Sequence, residues 1–118
     1  MAVQSYEGSC QCGVVRYEVN ADLDQLLACN CSRCGRLGMI LTFVSNEEFK
    51  LLSGEDSLSE YLFNRHVIHH VFCKVCGVES FARGTRPDGT PMVAINVRCL
   101  EGIDPHELEP KKIDGRSR

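Results

Sequence analysis

The stretch Cys29-Asn30-Cys31-Ser32-Arg33-Cys34 places three thiols within six residues, spaced C-x-C-x-x-C. Two more clusters flank it, Cys10-Gln11-Cys12 and Cys73-Lys74-Val75-Cys76. Seven of the eight cysteines therefore sit in three clusters, and Cys99 stands alone. Seven divides naturally as four plus three. A structural zinc takes four protein ligands, whereas a catalytic zinc takes three and keeps a position open. The two distant pairs, Cys10 with Cys12 and Cys73 with Cys76, make a natural four-thiolate site that clips two parts of the chain together. The trio Cys29, Cys31 and Cys34 then holds a second zinc with a vacant position, giving two Zn2+ per chain. A rival partition keeps one zinc and leaves the trio as free thiols.

A glycine follows the last cysteine of every cluster: Gly13, Gly35 and Gly77. Such a glycine can take positive φ and let its amide approach a sulfur. Cysteines used as small core hydrophobes would be scattered through strands rather than gathered this way. An open three-thiolate zinc is a weak Lewis acid beside a three-histidine site. It suits holding an incoming thiol rather than generating hydroxide. Arg33 and Arg36 can offset the thiolate charge or bind carboxylates of an anionic substrate. Each taken alone also reads as a solvated surface arginine.

At 118 residues the chain has room for one core, so residues 1–118 are expected to form a single domain. The formal charge is −3 with every cysteine neutral. Thiolate ligation at both sites would take it to roughly −6, which disfavours nucleic acid as a partner. The first residues carry no signal-peptide pattern, and no apolar run is long enough to span a membrane. The expected compartment is the cytoplasm, where thiols stay reduced and a disulfide framework is disfavoured.

Elsewhere the pattern reads as short strands. Val15, Tyr17 and Val19 alternate with polar neighbours, so residues 6–20 are expected to form a hairpin with the first cysteines at its turn. Residues 26–28 lead into the trio as a short strand or loop. Residues 34–38, CGRLG, read as a turn. The apolar run 39–44 predicts a central strand covered on both faces. Ser45 and Glu48 match a capping box, predicting one helical turn at residues 46–49. Strands are expected at 49–52, 58–63, 67–72, 79–84 and 92–97, although Ser57 and Glu60 offer a helix as the rival to the second of these. Asp88-Gly89 marks a turn, and Asp104-Pro105 predicts a short helix. The tail from about residue 111 is expected to be loose. The whole is an all-β, small zinc-binding domain.

His66, His69 and His70 precede the third cluster, and one of them can serve as an acid or base near the open zinc. Adjacent strand residues face opposite ways, so at most one of His69 and His70 points inward. Surface or edge-strand positions account for them equally well. Cys99 reads as a buried thiol on the last strand, or as a fourth ligand to the trio.

Together, Cys10-x-Cys12-Gly13, Cys29-x-Cys31-Ser32-x-Cys34 and Phe72-Cys73-x-x-Cys76-Gly77 resemble the glutathione-dependent formaldehyde-activating enzymes, whose domain also occurs in centromere protein V. The similarity extends through residues 49–54 and Asn96-Val97-Arg98-Cys99-Leu100, covering about residues 6–115. Asn30 stands where family members often carry histidine, and Gly35-Arg36 where many carry Arg-Lys. The resemblance implies twisted antiparallel sheets of the β-tent type. It implies a structural zinc on Cys10, Cys12, Cys73 and Cys76, and a second on Cys29, Cys31 and Cys34 facing substrate. The implied reaction joins glutathione to formaldehyde, as a carbon–sulfur lyase run in the synthetic direction. Two other classes fit the same cysteines: a non-catalytic zinc-bound interaction module, and a thiol redox protein using the trio.

Overall fold

A computed structural model describes residues 3–62 and 68–115, which form two twisted sheets sharing one core. Strands β1 (Gln4–Ser9) and β2 (Arg16–Ala21) form the expected hairpin, and β5 (Phe49–Ser53) pairs on the far side of β2. The second sheet has seven strands. It runs β10 (Lys111–Ile113), β3 (Leu27–Cys29), β4 (Leu41–Ser45), β9 (Pro91–Asn96), β8 (Phe81–Thr85), β7 (His69–Cys73) and β6 (Leu58–Tyr61). Every pairing is antiparallel except β10 with β3.

Side-chain alternation decides which face each strand gives to the core. On β2, Tyr17, Val19 and Ala21 are buried while Glu18 and Asn20 are exposed. Tyr17 and Phe49 from the small sheet meet Phe81 from the large one, with ring centroids 4.7 to 5.7 Å apart. The Tyr17 hydroxyl donates to the Ser80 carbonyl at 3.1 Å, so its burial leaves no polar atom unsatisfied. Val93, Ile95, Val71 and Val44 complete this core from the large sheet.

The opposite face of the large sheet carries the smaller cluster Cys34, Met39, Leu41, Ala82 and Ala94, with Cys29 and Cys31 packed against it. Cross-strand partners share a face. Tyr61, His70, Ala82, Ala94 and Phe43 therefore form one row across β6, β7, β8, β9 and β4. The two alanines in the middle leave the room into which the trio segment settles.

Several local expectations change. Residues 34–38 are not a simple turn but a single helical turn, α1 (Cys34–Leu37), closed by Gly38 at φ 69°. Gly35 lies inside that turn with an ordinary φ, so positive φ holds for Gly13 and Gly77 but not for Gly35. The apolar run 39–44 enters the central strand β4 and is buried on both faces except at Phe43, which is exposed on the trio side. The turn Asn46–Glu48 forms without a side-chain bond from Ser45, so the capping box is not made. Residues 58–61 are strand, not helix. The Asp104 carboxylate caps the 3-10 turn Pro105–Glu107 by accepting from the His106 amide, as expected. The tail is not loose at its start: residues 111–113 are β10, anchored by Lys111 N–H to the Leu26 carbonyl and Asn30 N–H to the Ile113 carbonyl. Among the described residues, no helix is long and apolar enough to cross a membrane.

Candidate metal centres

The loop after β1 and the loop after β7 are built alike. In each, the first cysteine amide donates to the carbonyl five residues on, Cys10 to Val15 and Cys73 to Val78, both at 3.0 Å. A glycine amide returns to the first cysteine's carbonyl, Gly13 to Cys10 at 3.3 Å and Gly77 to Cys73 at 2.7 Å. Both glycines sit at φ 83°, a conformation that disfavours any side chain. The two loops face each other, and the sulfurs of Cys10, Cys12, Cys73 and Cys76 lie within 4.8 Å of one another. Neighbouring sulfurs are 3.6 Å apart for Cys10 and Cys12 and 3.7 Å for Cys12 and Cys73. Thiolates at the corners of a zinc tetrahedron, with bonds of about 2.3 Å, stand about 3.8 Å apart. The Val15 amide also donates to the Cys10 sulfur at 3.3 Å, the kind of outer contact that orients a metal thiolate. This set fits a closed tetrahedral ion.

The thiols of this set are already unequal before any ion binds. Burial opposes the Cys76 thiolate, but bonds from the Val78 and Cys12 amides and from Cys10 and Cys73 outweigh it and bring Cys76 down to about 6. Burial likewise opposes the Cys10 thiolate, yet the Val15 amide, Cys12 and Cys73 prevail and lower it. The Val14 amide favours a Cys12 thiolate, but burial and the three neighbouring sulfurs push Cys12 up to about 11. The sulfurs thus share protons across one cluster, and a divalent cation would displace those protons.

The sulfurs of Cys29, Cys31 and Cys34 also lie within 4.8 Å of one another. Cys29 ends β3, Cys34 opens α1, and the turn between them brings the three side chains to one side. The Cys31 amide donates to Cys29 sulfur at 3.4 Å, and the Cys34 amide to Cys31 sulfur at 3.3 Å. Burial works against a Cys31 thiolate, but the Cys34 and Arg33 amides and the neighbouring thiols overcome it and lower that group. Burial first, then Cys31 and the charges of Cys29 and Glu79, push Cys34 far up. Three soft donors with no fourth thiol beside them fit an ion with one position left for something else. Cys99 joins neither group: it lies on the 3-10 turn Val97–Cys99 rather than on a strand, and burial raises its thiol to about 11.

Behind the trio stands a residue that no sequence motif marks. Glu79, three residues after Cys76, is buried. Its Oε1 accepts from Arg33 Nε at 3.0 Å and Nη2 at 2.8 Å, and its Oε2 meets His70 Nδ1 at 2.8 Å. The Asn96 side-chain amide donates to the Glu79 carbonyl at 3.0 Å. Arg33 also lies over the Tyr61 ring, 4.7 Å from its centroid. The trio loop is thereby tied across the sheet to β7 and to the segment leaving the four-thiol cluster. Of the histidines, His70 points inward and His69 pairs at the surface with Glu60. His66 lies outside the described residues.

Arg33 and Arg36 line a hollow of about 340 Å³ with Tyr61 and Leu37, and Arg36 donates to the Ser32 carbonyl at 2.8 Å. A larger cleft of about 640 Å³ opens on the other side of the trio, with Cys29 and Cys34 on its wall. Beyond β10, Gly115 crosses the trio so closely that a Cβ there would stand 2.4 Å from the Cys29 sulfur and 3.3 Å from Cys31 Cβ. Gly115→Ala is therefore expected to displace Cys29 and weaken metal at the trio while leaving the four-thiol site loaded. Chelator competition followed by metal analysis checks this, and unchanged retention of both metals would refute it.

The chain matches the model of one protein family, described as glutathione-dependent formaldehyde-activating enzyme, over residues 5–114. Its fold is similar to a crystal structure of a Rhodobacter sphaeroides protein, at 29% sequence identity and a TM-score of 0.81. That match covers 91% of this chain and 99% of the other.

Proposed function

This chain belongs to the glutathione-dependent formaldehyde-activating enzyme family, and from that premise we propose that it is a zinc-dependent enzyme of the carbon–sulfur lyase type. Its reaction joins a small thiol, glutathione in the family's description, to an aldehyde such as formaldehyde. The observation that carries this reading is that Cys29 and Cys34 belong both to the three-thiol cluster and to the wall of the 640 Å³ cleft. A three-donor site on a cleft can exchange a ligand; a closed four-donor site cannot. We assign a structural zinc to Cys10, Cys12, Cys73 and Cys76, and a working zinc to Cys29, Cys31 and Cys34. Bound at the trio, zinc supplies a position where an incoming thiol is held as its thiolate at neutral pH.

The chain's own residues keep that position in place. The Cys31 and Cys34 amides fix two of the sulfurs, and the Arg33–Glu79 pair fixes the turn that carries them. In the reaction the substrate sulfur forms a bond to the aldehyde carbon. The carbonyl π electrons move to oxygen, which takes up the proton the thiol gave up. None of the eight cysteines is paired in a disulfide, which is consistent with metal-ligating thiols and with the cytoplasm as the compartment.

The test is zinc per chain in protein purified under reducing conditions, together with one variant. Wild type is expected to carry about two zinc ions. Cys31→Ser is expected to stay folded, to keep about one, and to lose the thiol-dependent turnover of formaldehyde. One zinc in wild type would leave the trio as free thiols and shift the assignment to a redox protein. Two zinc ions with no ligand exchange at the trio would shift it to a non-catalytic interaction module.

A further inference from the structure

The cleft beside the trio has charged walls that an aldehyde as small as formaldehyde does not require. Strand β10 forms one side. Its parallel register sets Lys112 opposite Ala28 and Ile113 opposite Cys29. Both pairs, Lys112 with Ala28 and Ile113 with Cys29, line the cleft, which wraps the end of this strand pair. Lys112 therefore stands on the cleft wall one position before the residue paired with Cys29. Arg98 lies on the wall as well, and its Nε donates to the Gly38 carbonyl at 2.8 Å, which pins the guanidinium at the rim. Met39 and Leu108 supply an apolar surface, and Asp114 is the acidic residue of the lining.

We infer that Lys112 and Arg98 are the specificity-determining residues of this cleft, recognising the carboxylates of the thiol held at the trio. The inference rests on the reading of the trio as the thiol-binding centre. The volume lies in the range of roughly 300–1,000 Å³ used for small organic ligands, enough for a thiol of peptide size. Two cations with one carboxylate match a zwitterion with more acidic than basic groups. Arg33 and Arg36 face the smaller hollow instead. Recognition of the anionic ends therefore falls to residues far from the trio in sequence.

Calorimetric titration of the zinc-loaded protein with glutathione and with its diethyl ester, which lacks both carboxylates, tests the inference. Wild type is expected to bind glutathione about tenfold more tightly than the ester, a preference that shrinks as salt is raised. Lys112→Glu reverses one wall charge on an exposed side chain whose strand pairs through its backbone. It is expected to lower glutathione affinity about five- to tenfold and to leave the ester within about twofold. Equal wild-type affinity for the two ligands would overturn the inference. So would an equal loss for both in the variant, which would mean that the strand rather than the charge was disturbed. If neither glutathione, its ester nor 2-mercaptoethanol binds the wild type, the thiol-site reading itself fails and the inference goes with it. If 2-mercaptoethanol binds and the carboxylate preference is absent, only the inference fails.

Discussion

Cys76→Ser is expected to yield a protein that no longer holds its fold, recovered largely as insoluble chain. The four-thiol cluster joins residues 10–12 to residues 73–76, and Cys10 and Cys73 are buried at its base. A structural zinc in such a site supplies on the order of 10–16 kcal/mol of binding free energy that is also folding free energy. A domain of this size has a net stability of only about 5–15 kcal/mol, so little would remain without the ion. Loss of one thiolate also leaves three sulfurs whose mutual placement depended on the fourth. Circular dichroism and zinc analysis on any soluble fraction, with Cys31→Ser as the partner variant, make the comparison. Two variants that misfold alike would sink the division of the cysteines into a structural and a working set. So would a Cys76→Ser protein that melts like wild type.

Glu79→Ala is expected to destabilise the folded, zinc-saturated protein by about 3–5 kcal/mol, the usual cost of removing one partner from a buried charged pair. The carboxylate is 2% exposed and takes bonds from Arg33 and His70, so alanine removes an acceptor from each. Glu79→Gln keeps an oxygen for one neighbour but turns an N–H group toward the other, and should fall between alanine and wild type. Urea unfolding at fixed excess zinc measures the change. The damage should centre on the trio, because Arg33 belongs to its loop, while zinc at the four-thiol site persists. A loss below about 1 kcal/mol would show that the pair is solvated and serves no structural end.

The three cysteine clusters are legible because metal ligation imposes a local spacing, the strand around Tyr17 because alternation is local too, and the strand around Ile95 because a short apolar run is. The residues that were not legible owe their roles to distant partners. Glu79 sits in no motif: its meaning comes from Arg33, forty-six positions away, and from His70 across the sheet. Strand β10 is Lys-Lys-Ile, which carries no alternating signal, and it is a strand because β3 offers an edge beside it. Residues 34–38 contain two glycines and read as a turn. They close as a helical turn because the Gly38 amide finds the Cys34 carbonyl at 2.9 Å. By their place in the sequence, Arg33 and Arg36 are the cations nearest the trio. The folded chain engages Arg33 with Glu79 and Arg36 with Ser32, and lines the larger cleft with residues from 98 and 112 instead.

The parallel return of β10 beside β3 has a consequence for the order in which the molecule is made. The four-thiol cluster has its last ligand at residue 76 and its second loop closed by residue 78, whereas the cleft beside the trio lacks a wall until residues 111–115 have been added. At translation rates of about 5–20 residues per second, that interval is roughly two to eight seconds. During it the chain carries all seven clustered thiols while the residues that pass beside the trio have still to be added. The ligands of the four-thiol cluster thus precede, in order of synthesis, the strand that walls the cleft beside the trio, and a chain cut before residue 111 would keep all seven clustered thiols while lacking that wall.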